Sequence, residues 1–164
     1  MRNFPYNGDL SVGSLAGTQQ FAFLSFDTSR IPASVIIDSV TLKIVRNYAS
    51  AGNAFEKLGS LVADMKGGSG FSDSPALQGS DGNAPADASA VCTMSVASAA
   101  GEISQGSIDS SAFQYITRKG KTQFRLRFTV VSENSYSTDY IGFFGGESTN
   151  AQATRPMMVI IYHK

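Results

Sequence analysis

Apolar and polar side chains alternate with a period of two over residues 123–130, where Phe124, Leu126, Phe128 and Val130 interleave with Gln123, Arg125, Arg127 and Thr129. A strand turns successive side chains to opposite faces, so this spacing predicts one face in the core, with Arg125 and Arg127 on a wet face. Residues 40–44 repeat the pattern, with Val40, Leu42 and Ile44 on one side and Thr41 and Lys43 on the other. Antiparallel sheets with one solvated face leave this signature. Residues 20–26, 140–144 and 157–162 are apolar on both parities and predict central strands covered on both faces. Weaker strand signals lie at 10–13, 58–63, 91–96 and 101–107, separated by turn residues.

One helix interrupts this strand pattern. Ser110 and Ser111 precede Ala112-Phe113-Gln114-Tyr115-Ile116, and Gly120 follows, which gives an N-terminal cap, an apolar pair three apart and a C-terminal stop. Between Lys66 and Ala90 the chain turns to Gly, Ser, Asp, Ala and Pro and predicts a long loop. Loops of that length in compact domains are usually functional or mobile. The reading is an all-β chain, an antiparallel β-sandwich of jelly-roll type with one short helix, forming a single domain over residues 1–164.

Composition narrows the function classes. The chain carries 13 Lys+Arg against 13 Asp+Glu, a formal net charge of +0, so it has no basic field for nucleic acid or an anionic membrane. No apolar run approaches the roughly 18 residues of a membrane span. A single Cys and a single His exclude disulfide frameworks, multi-thiolate metal sites and histidine clusters. His163 lies at the end of the sequence, an unpromising base for a Ser-His-Asp site, and Gly67-Gly68-Ser69-Gly70 lacks nucleophile-elbow spacing. Gly120-Lys121-Thr122 copies the tail of a phosphate-binding loop but enters a strand instead of a helix. Asp139 and Glu147 form the one carboxylate pair with a glycosidase-like placement, without a Trp-rich cleft to accompany it. Cys92 alternates within Val91-Cys92-Thr93-Met94 and reads as a buried strand residue. The chain is expected to be non-catalytic.

Two groups of segments resemble the DNRLRE-type domain. The first is Phe23-Leu24-Ser25-Phe26-Asp27-Thr28-Ser29-Arg30-Ile31-Pro32 followed by Ile36-Ile37-Asp38-Ser39-Val40-Thr41-Leu42. The second is Asp139-Tyr140-Ile141-Gly142-Phe143-Phe144-Gly145-Gly146-Glu147 followed by Arg155-Pro156-Met157-Met158-Val159-Ile160-Ile161-Tyr162. The resemblance implies a jelly-roll sandwich from a secreted or surface-attached, often multidomain prokaryotic protein, similar to carbohydrate-binding modules. It also implies a strand ahead of Pro5-Tyr6-Asn7-Gly8, where this sequence has almost nothing. Either that strand has been trimmed, or it comes from another chain, which would fill a sheet edge. Read without the family, Asp27, Ser29 and Pro32 make a turn. Glu147 and Arg155 are placed to pin the loop between them.

Sugar binding needs flat rings and neighbouring polar groups, and Tyr6, Tyr48, Tyr115, Tyr136 and Tyr140 are the exposed candidates. Tyr136 leads them, beside Asn134 in a polar loop, with Tyr140 following. Arg125 and Arg127, with Lys43 on another strand, would make a basic stripe for an anionic polysaccharide if those strands adjoin. Asp81, Asn83 and Asp87 supply oxygen ligands at the short spacing a structural Ca²⁺ prefers, and no other cofactor is expected. The expected partners are a polysaccharide and neighbouring domains or subunits, with an extracellular or cell-surface location. The leading expectation is an accessory carbohydrate-binding module, and the alternative is a structural or adhesive surface domain.

Overall fold

The computed structural model describes residues 9–74, 76–132, 138–146 and 152–164. Ten strands run in the order β1 (Leu10–Leu15), β2 (Thr18–Gln20), β3 (Ala22–Asp27), β4 (Ile36–Ala51), β5 (Leu61–Lys66), β6 (Ala88–Thr93), β7 (Ile103–Ser107), β8 (Lys121–Phe128), β9 (Asp139–Phe143) and β10 (Met157–His163). They form two antiparallel sheets. One follows the order β10-β4-β9-β1-β2, with β7 on the other edge of β4, and the second follows β3-β8-β5-β6. The all-β sandwich expected from the alternation is the architecture found.

The organising element is β4. Its 16 residues pair with β7 along one edge, and on the other edge with β10 and then β9. Met157 lies opposite Lys43 and Phe143 opposite Arg46, so β9 and β10 follow one another along a single rail. The core lies between the sheets, where Val40, Leu42 and Ile44 of β4 and Phe124, Leu126 and Phe128 of β8 are all buried, as their alternation requires. Phe124 meets Phe26 edge-on at 6.0 Å between ring centroids, and Phe128 meets Phe55 likewise at 5.3 Å.

The expected helix is a 3-10 helix over Ser110–Tyr115, with Ala112 buried and no side-chain cap at Asp109. A one-turn helix α1 (Ala54–Lys57) also follows β4. Asp27 Oδ1 accepts the Ser29 N–H at 3.0 Å, so the turn read from Asp27 and Ser29 forms as an Asx turn.

Two expectations are corrected. The segment 157–162 is an edge strand rather than a central one: β10 pairs only with β4 among the described residues, and Met157, Val159, Ile161 and Tyr162 are exposed. Apolar character on both parities does not say which strand lies beside a segment. The segment 20–26 is likewise split between β2 and the edge strand β3. Segment 140–144 does hold a central strand, β9, between β4 and β1. The long loop expected between Lys66 and Ala90 is present, with two short 3-10 turns at Phe71–Asp73 and Gly79–Gly82. It folds back over the outer face of β8 and β5 with Phe71 fully buried, and this is what positions the first cluster below.

Candidate functional site

The cross-strand register sets Phe23 of β3 opposite Arg125 of β8, and Arg125 opposite Asp64 of β5. This row faces away from the core, because Leu61, Ala63 and Met65 take the inward positions of β5. The loop covering it makes it dry. Asp64 is 0% exposed and accepts from Arg125 Nη2 at 2.7 Å, from Arg127 Nε at 2.9 Å and from the Ala90 N–H at 2.9 Å. Arg125 also donates through Nη1 to the carbonyls of Asp81, Gly82 and Ala84 at 2.8–3.0 Å. Its guanidinium lies 5.0 Å from the Phe71 ring centroid and 5.6 Å from that of Phe21.

Arg125 and Arg127 therefore do not form the wet basic stripe expected of them. Arg125 is buried, Arg127 half-buried, and Lys43 belongs to the other sheet, so the strands carrying them do not adjoin. Arg125 works as an internal cation that anchors the loop, with its charge balanced by Asp64. The sequence signals were present, an Asp inside the apolar run 61–65 and a Phe inside a polar loop, but Asp64 lies 61 positions from its partner Arg125.

The same geometry bears on Asp81, Asn83 and Asp87. The loop carbonyls of Asp81, Gly82 and Ala84 are taken by Arg125. Asp81 is buried and accepts the Gln78 N–H through Oδ2 at 2.8 Å, closing a 3-10 turn, while its Oδ1 has no hydrogen-bond partner. Asp87 accepts from Lys66 Nζ at 2.8 Å and from the Gly67 N–H at 2.9 Å, and Asn83 is exposed. Among the described residues no three His, Cys, Asp or Glu side chains converge to hold a metal. The oxygens close in sequence are put to separate local uses.

Burial acts to raise the Asp64 pKa, but hydrogen bonds from Arg127, the Ala90 amide and Arg125 outweigh it and hold the carboxyl below 3.8. A folded-state pKa below the unfolded one contributes stability that is complete above about pH 4 and is lost as pH falls through the folded value. Asp87 is shifted the same way, with burial again outweighed by Lys66 and the Gly67 amide. Urea midpoints are expected to stay level from neutral pH to about pH 5 and to drop below about pH 4. A midpoint that does not fall on acidification would show that these carboxylates are not stabilised by folding. Cys92, buried and packed against Met94, has its thiol pushed up to about 11 by burial, with the Ala63 backbone only partly offsetting this.

The second cluster is a cleft of about 280 Å³ on the other sheet, where β1, β9 and β4 meet. Its apolar walls are Leu10, Leu15, Ala49 and Tyr140, and its polar groups are Asp9, Ser11 and Asn47. Two glycines lie opposite lining residues in the β1–β9 register, Gly142 across from Ser11 and Gly13 across from Tyr140. Gly13 has φ +140°, and a Cβ there would lie 2.3 Å from the Asp139 carbonyl oxygen. A Cβ on Gly142 would lie 2.3 Å from Asn47 Oδ1. The β4 register shifts between Arg46 and Ser50, and Asn47 holds that irregularity by accepting the Ala49 N–H at 2.8 Å and donating to the Phe143 carbonyl at 3.3 Å. Tyr48, next in the chain, is 89% exposed.

Of the aromatic candidates, Tyr140 lines this cleft and Tyr48 adjoins it in sequence, while Tyr115 borders a separate polar hollow near Gly67 and Gly68. Tyr6, Tyr136 and Asn134 lie outside the described residues, as does Glu147, and with it the expected pairing to Arg155. Asp139 is buried, accepts the Asn53 N–H at 2.9 Å and pairs with Lys57 Nζ at 2.9 Å, so it ties α1 to β9. No protein-family model and no curated protein matches this chain, and the resemblance to DNRLRE-type domains rests on the quoted segments alone.

Proposed function

We propose that the chain is a non-catalytic carbohydrate-binding module of a secreted or surface-attached multidomain protein, and that the β1–β9–β4 cleft receives the glycan. The observation that carries this reading is the make-up of the cleft: a tyrosine ring and aliphatic walls, with Asp9 and Ser11 at hand for hydroxyls. Sugar rings present C–H faces that pack on such a ring and hydroxyls that need a few placed polar groups. The volume is just under the roughly 300–1,000 Å³ of sites that enclose drug-sized ligands, which suits one sugar ring rather than an engulfed chain. Asp9 is the one acidic residue among the described lining residues, whereas glycoside hydrolysis uses a facing carboxylate pair.

Affinity electrophoresis on neutral and anionic polysaccharides, with Ca²⁺ and with chelator, tests the proposal. Retention on at least one glycan is expected, and Tyr140→Ala is expected to weaken it by about tenfold or more, the worth of a buried aromatic anchor. A Tyr136→Ala variant run beside it tests the loop singled out from the sequence. No retention on any polysaccharide, or retention unchanged in Tyr140→Ala, would remove this cleft from consideration. The alternative reading, a structural or adhesive surface domain, is favoured by one observation: the apolar edge of β10, which pairs only with β4 among the described residues.

A further inference from the structure

The backbone of β4 alternates its hydrogen bonds between its two edges. The Val40 carbonyl is taken on the β7 side and the Val45 carbonyl on the β9 side, so odd-numbered residues face β10. Met157, Val159 and Ile161 pair with Lys43, Thr41 and Ser39, which leaves the N–H and C=O groups of Met158 and Ile160 directed away from the sheet. The side chains have the opposite division. Met158 and Ile160 pack against the core, while Met157, Val159 and Ile161 stand 40%, 41% and 58% exposed in a row on the outer face. Native edges are normally blunted by charge, and residues 157–162 carry none.

From this edge we infer that two copies of the chain pair through β10, antiparallel about a two-fold axis at Val159. The register follows from these outward-directed groups, which no other strand pairs with among the described residues. Met158 exchanges backbone hydrogen bonds with the partner's Ile160, and Ile160 with the partner's Met158. That places Val159 opposite Val159 of the partner subunit and Met157 opposite Ile161 of the partner subunit, so each exposed stripe covers the other. Pro156, with no N–H, and the bulge between Ile161 and Tyr162 bound the ladder at matching points on the two copies.

Charge agrees with this occupant. Exposed Arg155 arrives opposite the partner's His163, and in each copy the His163 ring is held by Asp38 at 2.8 Å. Just outside the ladder each end therefore sets a cation on one copy toward a His–Asp pair on the other. The net charge of +0 sets no overall repulsion against association. This pairing does not depend on the glycan reading, since the cleft lies on β1, β9 and the distal part of β4.

Sedimentation velocity over a hundredfold concentration range tests the inference, with wild type expected to pass from monomer to dimer and no further. Val159→Lys puts a charge opposite its own copy and is expected to raise the dimer Kd by about tenfold or more, with the circular dichroism spectrum unchanged. Val159→Cys supplies a readout that does not depend on how the lysine variant folds. Facing residues of a non-hydrogen-bonded pair lie within disulfide reach, so mild oxidation is expected to cross-link it, while equally exposed Val131→Cys stays monomeric. A wild type that remains monomeric throughout, a dimer that survives Val159→Lys, growth into open polymers, or equal cross-linking at 131 and 159 would each overturn the pairing.

Discussion

Asp64→Ala is expected to lower the unfolding free energy by about 3–5 kcal/mol, the usual cost of removing one partner from a buried ion pair. For a domain of this size that is a fall on the order of 10 °C in Tm. The carboxylate is fully buried and accepts from both Arg125 and Arg127, so its removal leaves two guanidiniums against one another with the Ala90 N–H unpaired. Asp64→Asn keeps the shape but not the charge and is expected to fall between wild type and Asp64→Ala. The double variant Asp64→Leu/Arg125→Met separates two contributions. It removes the buried charges together, which is often neutral, yet it orphans the carbonyls of Asp81, Gly82 and Ala84. A double variant as stable as wild type would mean that the guanidinium does not anchor the loop. Thermal and urea denaturation of the four proteins give the comparison.

Gly13→Ala is expected to cost on the order of 3 kcal/mol, from a φ that side-chain-bearing residues rarely adopt and from the crowding of a new methyl group. The clash is with backbone, since the Asp139 carbonyl oxygen at 2.3 Å and the Tyr140 Cα at 2.7 Å cannot swing aside like a side chain. Relief requires β1 and β9 to separate where Tyr140 lines the cleft. Gly13→Ala is therefore also expected to weaken any glycan retention, whereas Gly68→Ala, with nothing within 4 Å of its Cβ, leaves retention intact and costs only its backbone strain. Equal Tm values for Gly13→Ala and wild type would show that this close approach is relieved without cost.

Much of the strand framework could be read from alternation, because one inward face per strand is what a two-sheet core demands. Residues 124, 126 and 128, and 40, 42 and 44, were assigned to the core by spacing alone, and all six are buried. What alternation does not encode is the cover over the other face. Arg125 occupies a non-core position and so reads as solvated, but a loop contributed by residues 71–84 closes over it. The 157–162 run has the composition of a covered strand and lies at an edge, since composition records how well a segment suits burial and not what arrives to bury it. The cleft was only partly legible. Tyr140 could be named from its type, but Gly13 and Gly142 gain their meaning from neighbours on β9 and β4 that the chain reaches about 90 to 130 residues away.

The length of β4 carries a kinetic consequence. It ends at Ala51, and every strand it pairs with comes later in the chain, the first beginning at Ile103 and the last at Met157. On the ribosome, the central strand of its sheet emerges with Val40, Leu42 and Ile44 uncovered and waits through about a third of the length of the protein for its first neighbour. Such distant closures make folding slow and leave apolar strand exposed to other chains meanwhile. The yield of native protein should therefore depend on how nascent residues 36–51 are shielded, through chaperone occupancy or slowed growth temperature, well before any feature of the finished sandwich comes into play.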